Sequence, residues 1–138
     1  MKKFEFLSHT ADIKFRAFGK TLEEVFENSA FAFVSVLYKE KLIKKTKKRI
    51  FIVKGNDLEA LMFRFLEEIL FLFETEGFLL SEIKVRFGKD KKSLKAEAYG
   101  GEKLDKRVRH YVKAVTYNDM FVKNLGKKGW ISQVVIDV

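Results

Sequence analysis

Two acidic residues stand at the ends of apolar strands, where a carboxylate contributes little to packing. Asp12 precedes the alternating run Ile13 to Phe18, and Asp137 is the penultimate residue of WISQVVIDV. If the chain ends at Val138, its terminal carboxylate adds a further anionic group, and neighbouring carboxylates would repel one another. A hard divalent cation would relieve this repulsion, and oxygen ligands suit Ca²⁺, Mg²⁺ or Mn²⁺. On spacing alone, a metal site competes with a simpler interpretation in which these carboxylates are solvated.

Other kinds of site find little support in the sequence. The chain has no Cys, which excludes disulfides and thiolate ligands, and its two His cannot close a zinc site without carboxylates. No nucleophile-elbow, P-loop or dinucleotide-binding motif is present. Because no candidate base or nucleophile accompanies the carboxylates, a metal-dependent hydrolase is disfavoured.

The chain is basic, with 28 Lys and Arg against 19 Asp and Glu and a formal net charge of +9. This balance favours contacts with polyanions, although a charged surface also serves solubility. One basic run follows the first predicted helix and contains Lys39, Lys41, Lys44, Lys45, Lys47, Lys48 and Arg49. Few aromatic residues interleave with it, so the run offers few rings on which nucleic-acid bases could stack. A general RNA- or protein-binding module, chaperone-like, is therefore the alternative hypothesis.

Two helices are expected to position these residues. Thr21-Leu22-Glu23-Glu24 is a capping box and predicts a helix from 22 to about 38. The second helix is predicted to begin near Asn56-Asp57 and to stop at Gly77. Its apolar stripe is broad, and Phe63 and Phe71 extend it around the helix, which predicts an element that is central or covered on two sides.

The remaining segments alternate with period two and predict strands. They are Lys2–Leu7, Ile13–Gly19, Arg49–Lys54, Ile83–Phe87, Leu94–Tyr99, Val108–Tyr117 and Trp130–Asp137, with a shorter piece at Met120–Lys123. The polar segment 88–92 predicts a hairpin turn. We therefore predict one α+β domain over residues 1–138, with two layers, a mixed but mostly antiparallel sheet and two main helices.

A cytoplasmic location is expected. The start of the sequence lacks the apolar segment of a signal peptide. The most apolar stretch, Leu58 to Phe73, is interrupted by Arg64, Glu67 and Glu68, so no membrane contact is expected.

Several segments together resemble the archease family. They are His9-Thr10-Ala11-Asp12-Ile13 with Gly19, Leu22-Glu23-Glu24-Val25-Phe26, Leu66-Glu67-Glu68-Ile69-Leu70, Val112-Lys113-Ala114-Val115-Thr116-Tyr117, and Trp130 to Asp137. The first segment and the one around Lys113 are the specific ones. The chain departs from the family pattern at Asn118, where His is frequent.

The resemblance implies an accessory factor rather than an enzyme. Archeases support the RtcB-type RNA ligase of tRNA splicing by promoting guanylylation of the ligase and its multiple turnover. Carried onto this sequence, the metal site of the family falls on Asp12, Asp137 and Val138, with calcium preferred and magnesium or manganese as alternatives. Lys113 and His9 are then candidates for contact with a phosphate or with the partner ligase, and His9 is also a candidate for orienting Asp12 or ligating the metal. Direct contact with tRNA through the basic surface is a further expectation.

Overall fold

In the part of the chain that the structure describes, seven strands form two antiparallel sheets, and two helices join them. The computed structural model describes residues 2–8, 11–38, 43–102 and 111–138. Within these ranges the strands are β1 (Phe4–Leu7), β2 (Ile13–Gly19), β3 (Lys47–Lys54), β4 (Phe78–Phe87), β5 (Ser93–Glu102), β6 (Ala114–Asn124) and β7 (Trp130–Asp137). The helices are α1 (Leu22–Leu37) and α2 (Leu58–Glu76). This confirms the predicted α+β class with two main helices.

The strands are shared between two sheets rather than gathered in one. Sheet A has the order β1-β2-β7-β6, and sheet B has the order β3-β5-β4. The five strand pairings among the described residues are all antiparallel. The predicted hairpin at 88–92 joins β4 to β5. Helix α1 packs against β1, β2 and β7 of sheet A and against β4, whereas α2 packs against all of sheet B and against β6. Each helix therefore contacts both sheets.

Helix α1 begins at the predicted capping box. The Thr21 hydroxyl accepts a hydrogen bond from the Glu24 N–H at 3.1 Å, and the Glu24 carboxylate reaches back to the N–H of Lys20 at 3.2 Å. The first bond satisfies a donor that a helix start leaves without a partner. The second goes to the residue before the N-cap and not to the Thr21 N–H, so the reciprocal half of the predicted capping box is displaced by one residue. The helix ends at Leu37, one residue before the predicted end.

Helix α2 is also bounded by its caps. The Asp57 carboxylate accepts from the Ala60 N–H at 2.8 Å, and Gly77 ends the helix with φ 65°, in the left-handed region. The prediction for the flank of the helix is half right. Phe63 is partly covered because it stacks on Tyr117 of β6, but Phe71 is 50% exposed, so α2 is not covered all round.

The core is aromatic where the helices meet sheet B. The Phe26 ring of α1 lies 5.6 Å from the Phe65 ring of α2 and 5.0 Å from Phe87 of β4, while Phe51 of β3 lies 6.0 Å from Phe65. Phe26 and Phe65 are fully buried. Burying a side chain of this size stabilises the fold by about 1.5–3 kcal/mol. The cluster joins four elements and fixes both helices on sheet B.

Carboxylates from the helices meet one outer strand of each sheet. Glu27 of α1 accepts from the Val85 N–H of β4 at 2.9 Å, and Glu59 of α2 accepts from the Val122 N–H of β6 at 3.4 Å. Strands β4 and β6 are edge strands, whose outward N–H groups would otherwise offer a template for pairing with another chain. The helices thus protect these two edges.

The region predicted as Val108–Tyr117 and Met120–Lys123 is one strand with an irregularity. Residues 108–110 lie outside the described residues, and β6 runs from Ala114 to Asn124. Its pairing with β7 shifts between Thr116 and Phe121, and Asp119 has φ 53°. The extra residues form a bulge, which explains why the alternating pattern breaks there. In the described part of the chain, no helix combines the length and apolar character needed to cross a membrane.

Candidate functional site

The two acidic residues singled out in the sequence lie at the same end of sheet A. Ile13 of β2 pairs with Ile136 of β7, so Asp12 and Asp137 are the next residues outward on neighbouring strands. Both side chains are half-buried. The 125 positions that separate them in sequence are therefore bridged by one antiparallel pairing.

Lys113 and Val138 lie at this end as well. The Lys113 N–H donates to the backbone carbonyl of Asp137 at 2.8 Å, and the next residue, Ala114, pairs with Asp137. The side chain of Lys113 is exposed, whereas Val138 is half-buried and packs against the core. The end of β7 is thus held by β2 on one side and by β6 on the other, and we call Asp12, Asp137, Val138 and Lys113 the acidic end of sheet A.

The donor set at the acidic end fits a hard cation in part. Asp12 and Asp137 would offer carboxylate oxygens from two strands, and a cation of the Mg²⁺ type is commonly held by one or two carboxylates that leave its other positions to water or phosphate oxygens. No group of three or more acidic or histidine side chains placed to hold a metal ion occurs within 2–8, 11–38, 43–102 and 111–138. His9 lies outside the described residues, so its predicted role stays a prediction.

A polar network beside the acidic end was not predicted. Arg16 of β2 donates from Nε to the Gln133 side-chain oxygen at 2.9 Å, and Gln133 Nε2 donates to the Asp119 carbonyl at 2.7 Å. The Lys14 ammonium lies 3.5 Å from the Asp119 carboxylate. These contacts tie the bulge of β6 across β7 to β2. The signal was available in the sequence, because Lys14 and Arg16 alternate with buried Phe15 and therefore share the face opposite the core.

The described cations of the basic run are largely matched by carboxylates. Lys45 lies 2.7 Å from Glu82, Lys47 lies 3.2 Å from Glu102, and Arg49 lies 2.6 Å from Glu76. Residues 39–42 lie outside the described residues. Exposed pairs of this kind stabilise a fold little, but they lower the positive potential that would attract a phosphate backbone. The run is therefore a poorer candidate for RNA binding than its composition indicates.

The fold and the acidic end define a class of small α+β protein in which two helices bridge two antiparallel sheets and paired carboxylates stand at the end of one sheet. Comparison with known proteins gives the family. The family model described as "Archease protein family (MTH1598/TM1083)" matches residues 4–138. The chain belongs to the archease family.

Individual relatives are similar to this chain over its whole length. The chain is 41% identical to a protein archease of Pyrococcus abyssi, with 100% of both chains covered. It is also 41% identical to a protein archease of Methanosarcina barkeri, with 99% of this chain and 97% of the relative covered. The solution structure of protein 1598 of Methanobacterium thermoautotrophicum superposes with a TM-score of 0.87 at 35% identity and covers 100% of both chains.

Proposed function

We propose that this chain is an accessory factor of an RtcB-type RNA ligase in tRNA splicing, which promotes guanylylation of the ligase and its multiple turnover and is not itself an enzyme. Membership in the archease family supports the accessory role. The observation that carries the proposal further is the meeting of Asp12 and Asp137 at the end of two paired strands. The site would be presented to a ligase held in the same cytoplasmic compartment.

In this proposal, Asp12 and Asp137 hold a divalent cation, Ca²⁺ in preference to Mg²⁺ or Mn²⁺, together with the carboxylate of Val138 where the chain ends there. Such a cation would supply positive charge to the phosphate oxygens of GTP, whose charge must be neutralised during nucleotidyl transfer. The side chains of the acidic end position it. Pairing of β7 on both sides holds Asp137 beside Asp12. The exposed Lys113 ammonium acts as a point charge for a phosphate or an acidic ligase surface.

The test is guanylylation of an RtcB-type ligase by GTP with and without this protein. We expect Asp12→Asn and Asp137→Asn to lose the stimulation, because each removes a ligand charge with little change in volume. Asp90→Asn is the matched control. Its carboxylate lies in the β4–β5 turn, where it accepts from the Lys92 N–H at 3.0 Å, a bond that Asn can also make. Full stimulation by both site variants would reject the acidic end as the functional site, and no stimulation by the wild type would reject the accessory role.

Metal binding is measured separately by thermal unfolding in CaCl₂, MgCl₂ and MnCl₂. A cation at about 100 times its Kd stabilises the fold by about 2.7 kcal/mol, and this gain should be absent from Asp12→Asn and Asp137→Asn. A short C-terminal extension converts the carboxylate of Val138 to an amide and should weaken the gain. An unchanged gain in the extended protein would exclude Val138 as a ligand.

An RNA-binding module without metal dependence predicts a different pattern. Its affinity should fall steeply with salt, because binding releases counterions, and it should tolerate the loss of Asp12. Titration of tRNA at two salt concentrations with wild-type and Asp12→Asn proteins separates the two functions.

A further inference from the structure

The outer face of sheet B carries a regular array of side chains that the acidic end does not use. Register and alternation place three rows of three residues on this face, each row crossing β3, β5 and β4. The rows are Lys48–Tyr99–Glu82, Ile50–Glu97–Lys84 and Ile52–Lys95–Arg86. The opposite face is the buried one, to which Ala96, Ala98 and Val85 belong. We call the nine residues the outer face of sheet B.

Two isoleucines form an apolar stripe along one side of this face. Ile50 is 53% exposed and Ile52 is 62% exposed, and both lie on β3, the edge strand of the sheet. An antiparallel sheet normally places polar residues on the face it exposes to water. Successive β-branched apolar residues on an exposed edge strand are a liability for aggregation unless a partner covers them. The stripe is therefore a candidate contact surface for a partner.

Several cations lie beside the stripe on the same face. Lys48, Lys84, Lys95 and Arg86 are exposed, and within the described part of the chain neither Lys84, Lys95 nor Arg86 forms an ion pair. The two carboxylates of the face are engaged internally. Glu97 accepts from the Tyr99 hydroxyl at 3.0 Å, and Glu82 accepts from Lys45 at 2.7 Å.

These internal bonds keep the two carboxylates ionised. The hydrogen bond from Tyr99 holds the pKa of Glu97 below its ordinary value, and the bond from Lys45 does the same for Glu82. The neighbouring cations Lys84, Lys95 and Arg86 also lower these pKa values through space, but among these described residues none is in contact with either carboxylate, so their ammonium and guanidinium groups can still meet an incoming anionic group.

The charge and shape of the face discriminate between possible occupants. A second copy of this chain would bring like charges together, which costs free energy at an interface. A single-stranded nucleic acid needs open aromatic rings, but Tyr99 is the one aromatic residue of the nine. Its hydroxyl is bonded to Glu97, and the Lys48 ammonium lies 5.4 Å from the centre of its ring.

We propose that the outer face of sheet B docks an acidic protein surface, with an apolar side chain of the partner on Ile50 and Ile52 and its carboxylates on Lys84, Lys95 and Arg86. Such a surface matches the face in both respects, since it covers the stripe and neutralises the cations. The docking face belongs to a different sheet from Asp12 and Asp137. Docking on this face can therefore be tested independently of metal binding at the acidic end.

The proposal is tested by ¹⁵N-NMR titration of the full chain with three probes. They are a synthetic peptide of alternating Glu and Leu, polyglutamate of the same charge, and oligouridylate of the same charge. We expect the Glu/Leu peptide to bind most tightly and to shift amides of β3, β4 and β5. Tightest binding of oligouridylate to these strands would identify a nucleic-acid surface instead, and shifts that avoid them would overturn the docking face.

Matched variants separate the two contributions. Ile50→Thr/Ile52→Thr keeps β-branched residues in the strand and should weaken the Glu/Leu peptide towards the affinity of polyglutamate. Lys84→Glu/Lys95→Glu should weaken it by about tenfold or more, since like charges then face each other. Lys127→Glu/Lys128→Glu makes the same change of net charge on exposed residues of the turn between β6 and β7 and should leave the affinity within about twofold. An equal loss from both lysine pairs would show non-specific attraction and refute the docking face.

Discussion

Two buried serines tie the strand that carries Asp137 to helix α1. The Ser29 and Ser132 hydroxyl oxygens lie 2.8 Å apart, and both residues are 0% exposed. Ser29 also donates to the carbonyl of Val25 at 2.6 Å. A hydroxyl has a single hydrogen and a carbonyl can only accept, so Ser29 uses its hydrogen on Val25. Ser132 must therefore be the donor to Ser29.

This direction makes the two alanine substitutions unequal. Ser132→Ala removes one hydrogen bond and leaves Ser29 bonded to Val25, which should lower the free energy of unfolding by about 1 kcal/mol. Ser29→Ala leaves the Ser132 hydroxyl buried without its acceptor, and a stranded polar group costs about 1–3 kcal/mol. The double variant removes the stranded hydroxyl as well. It should cost less than the sum of the single variants, with a coupling of about 1 kcal/mol.

Guanidinium unfolding of the four proteins, followed by circular dichroism, measures these differences. The slope of the free energy against denaturant must be equal in all four, because a changed slope would signal a changed native or unfolded state. The reasoning fails if Ser132→Ala costs more than Ser29→Ala, or if the two costs add. Either result would show that the hydrogen of Ser29 does not go to Val25.

Two further predictions concern Glu27 of α1, which bonds to strand β4, and Gly77, which ends α2. Burial raises the pKa of Glu27, against the opposing effect of the hydrogen bond from Val85. The folded state then binds more protons than the unfolded state, so stability falls as the pH rises from the ordinary value of 4.5 through the raised folded pKa. Glu27→Gln keeps an oxygen for Val85 and should abolish this fall. Thermal unfolding between about pH 4 and pH 8, the range over which a carboxylate of raised pKa titrates, measures it. An unchanged slope of stability against pH in the variant would contradict the prediction. Gly77→Ala places a side chain at φ 65° and should lower the free energy of unfolding by about 1–2 kcal/mol, measured by denaturant titration, whereas no loss would mean that the helix end shifts instead.

The elements were predictable where a local signal fixes them. Thr21 and Glu24 begin α1, and Asp57 and Gly77 bound α2, because caps act within one turn of the helix end. Strands β2 and β7 were predicted with their observed bounds. The bulge of β6 was missed because an alternating pattern carries no information about extra residues, although Asn118-Asp119 is a turn-like pair.

The division into two sheets could not be predicted in the same way. Alternation specifies which face of a strand is buried, but it does not specify the neighbouring strand. Strand β5 lies between β3 and β4, whereas β7 lies between β2 and β6. The pairings β4–β5 and β6–β7 join consecutive strands, but β3–β5 and β2–β7 join distant parts of the chain. The same limit applies to the acidic end. Each of Asp12 and Asp137 is conspicuous in its own segment of the sequence, but only the family resemblance predicted that they act together. The pairing of Ile13 with Ile136 places them at the same end of sheet A.

Contacts on both faces of strand β7 fix the end of sheet A that carries Asp12 and Asp137. On one face Ser132 bonds to Ser29 of α1, and on the other Gln133 bonds to the bulge of β6. The strand is paired on both sides as far as Ile136, and the Lys113 N–H holds the carbonyl of Asp137. The strand ends that carry Asp12 and Asp137 therefore cannot separate without breaking these bonds. If the proposed cation binds at Asp12 and Asp137, it would find both residues already held in place by the fold, so little ordering would remain to be done on binding.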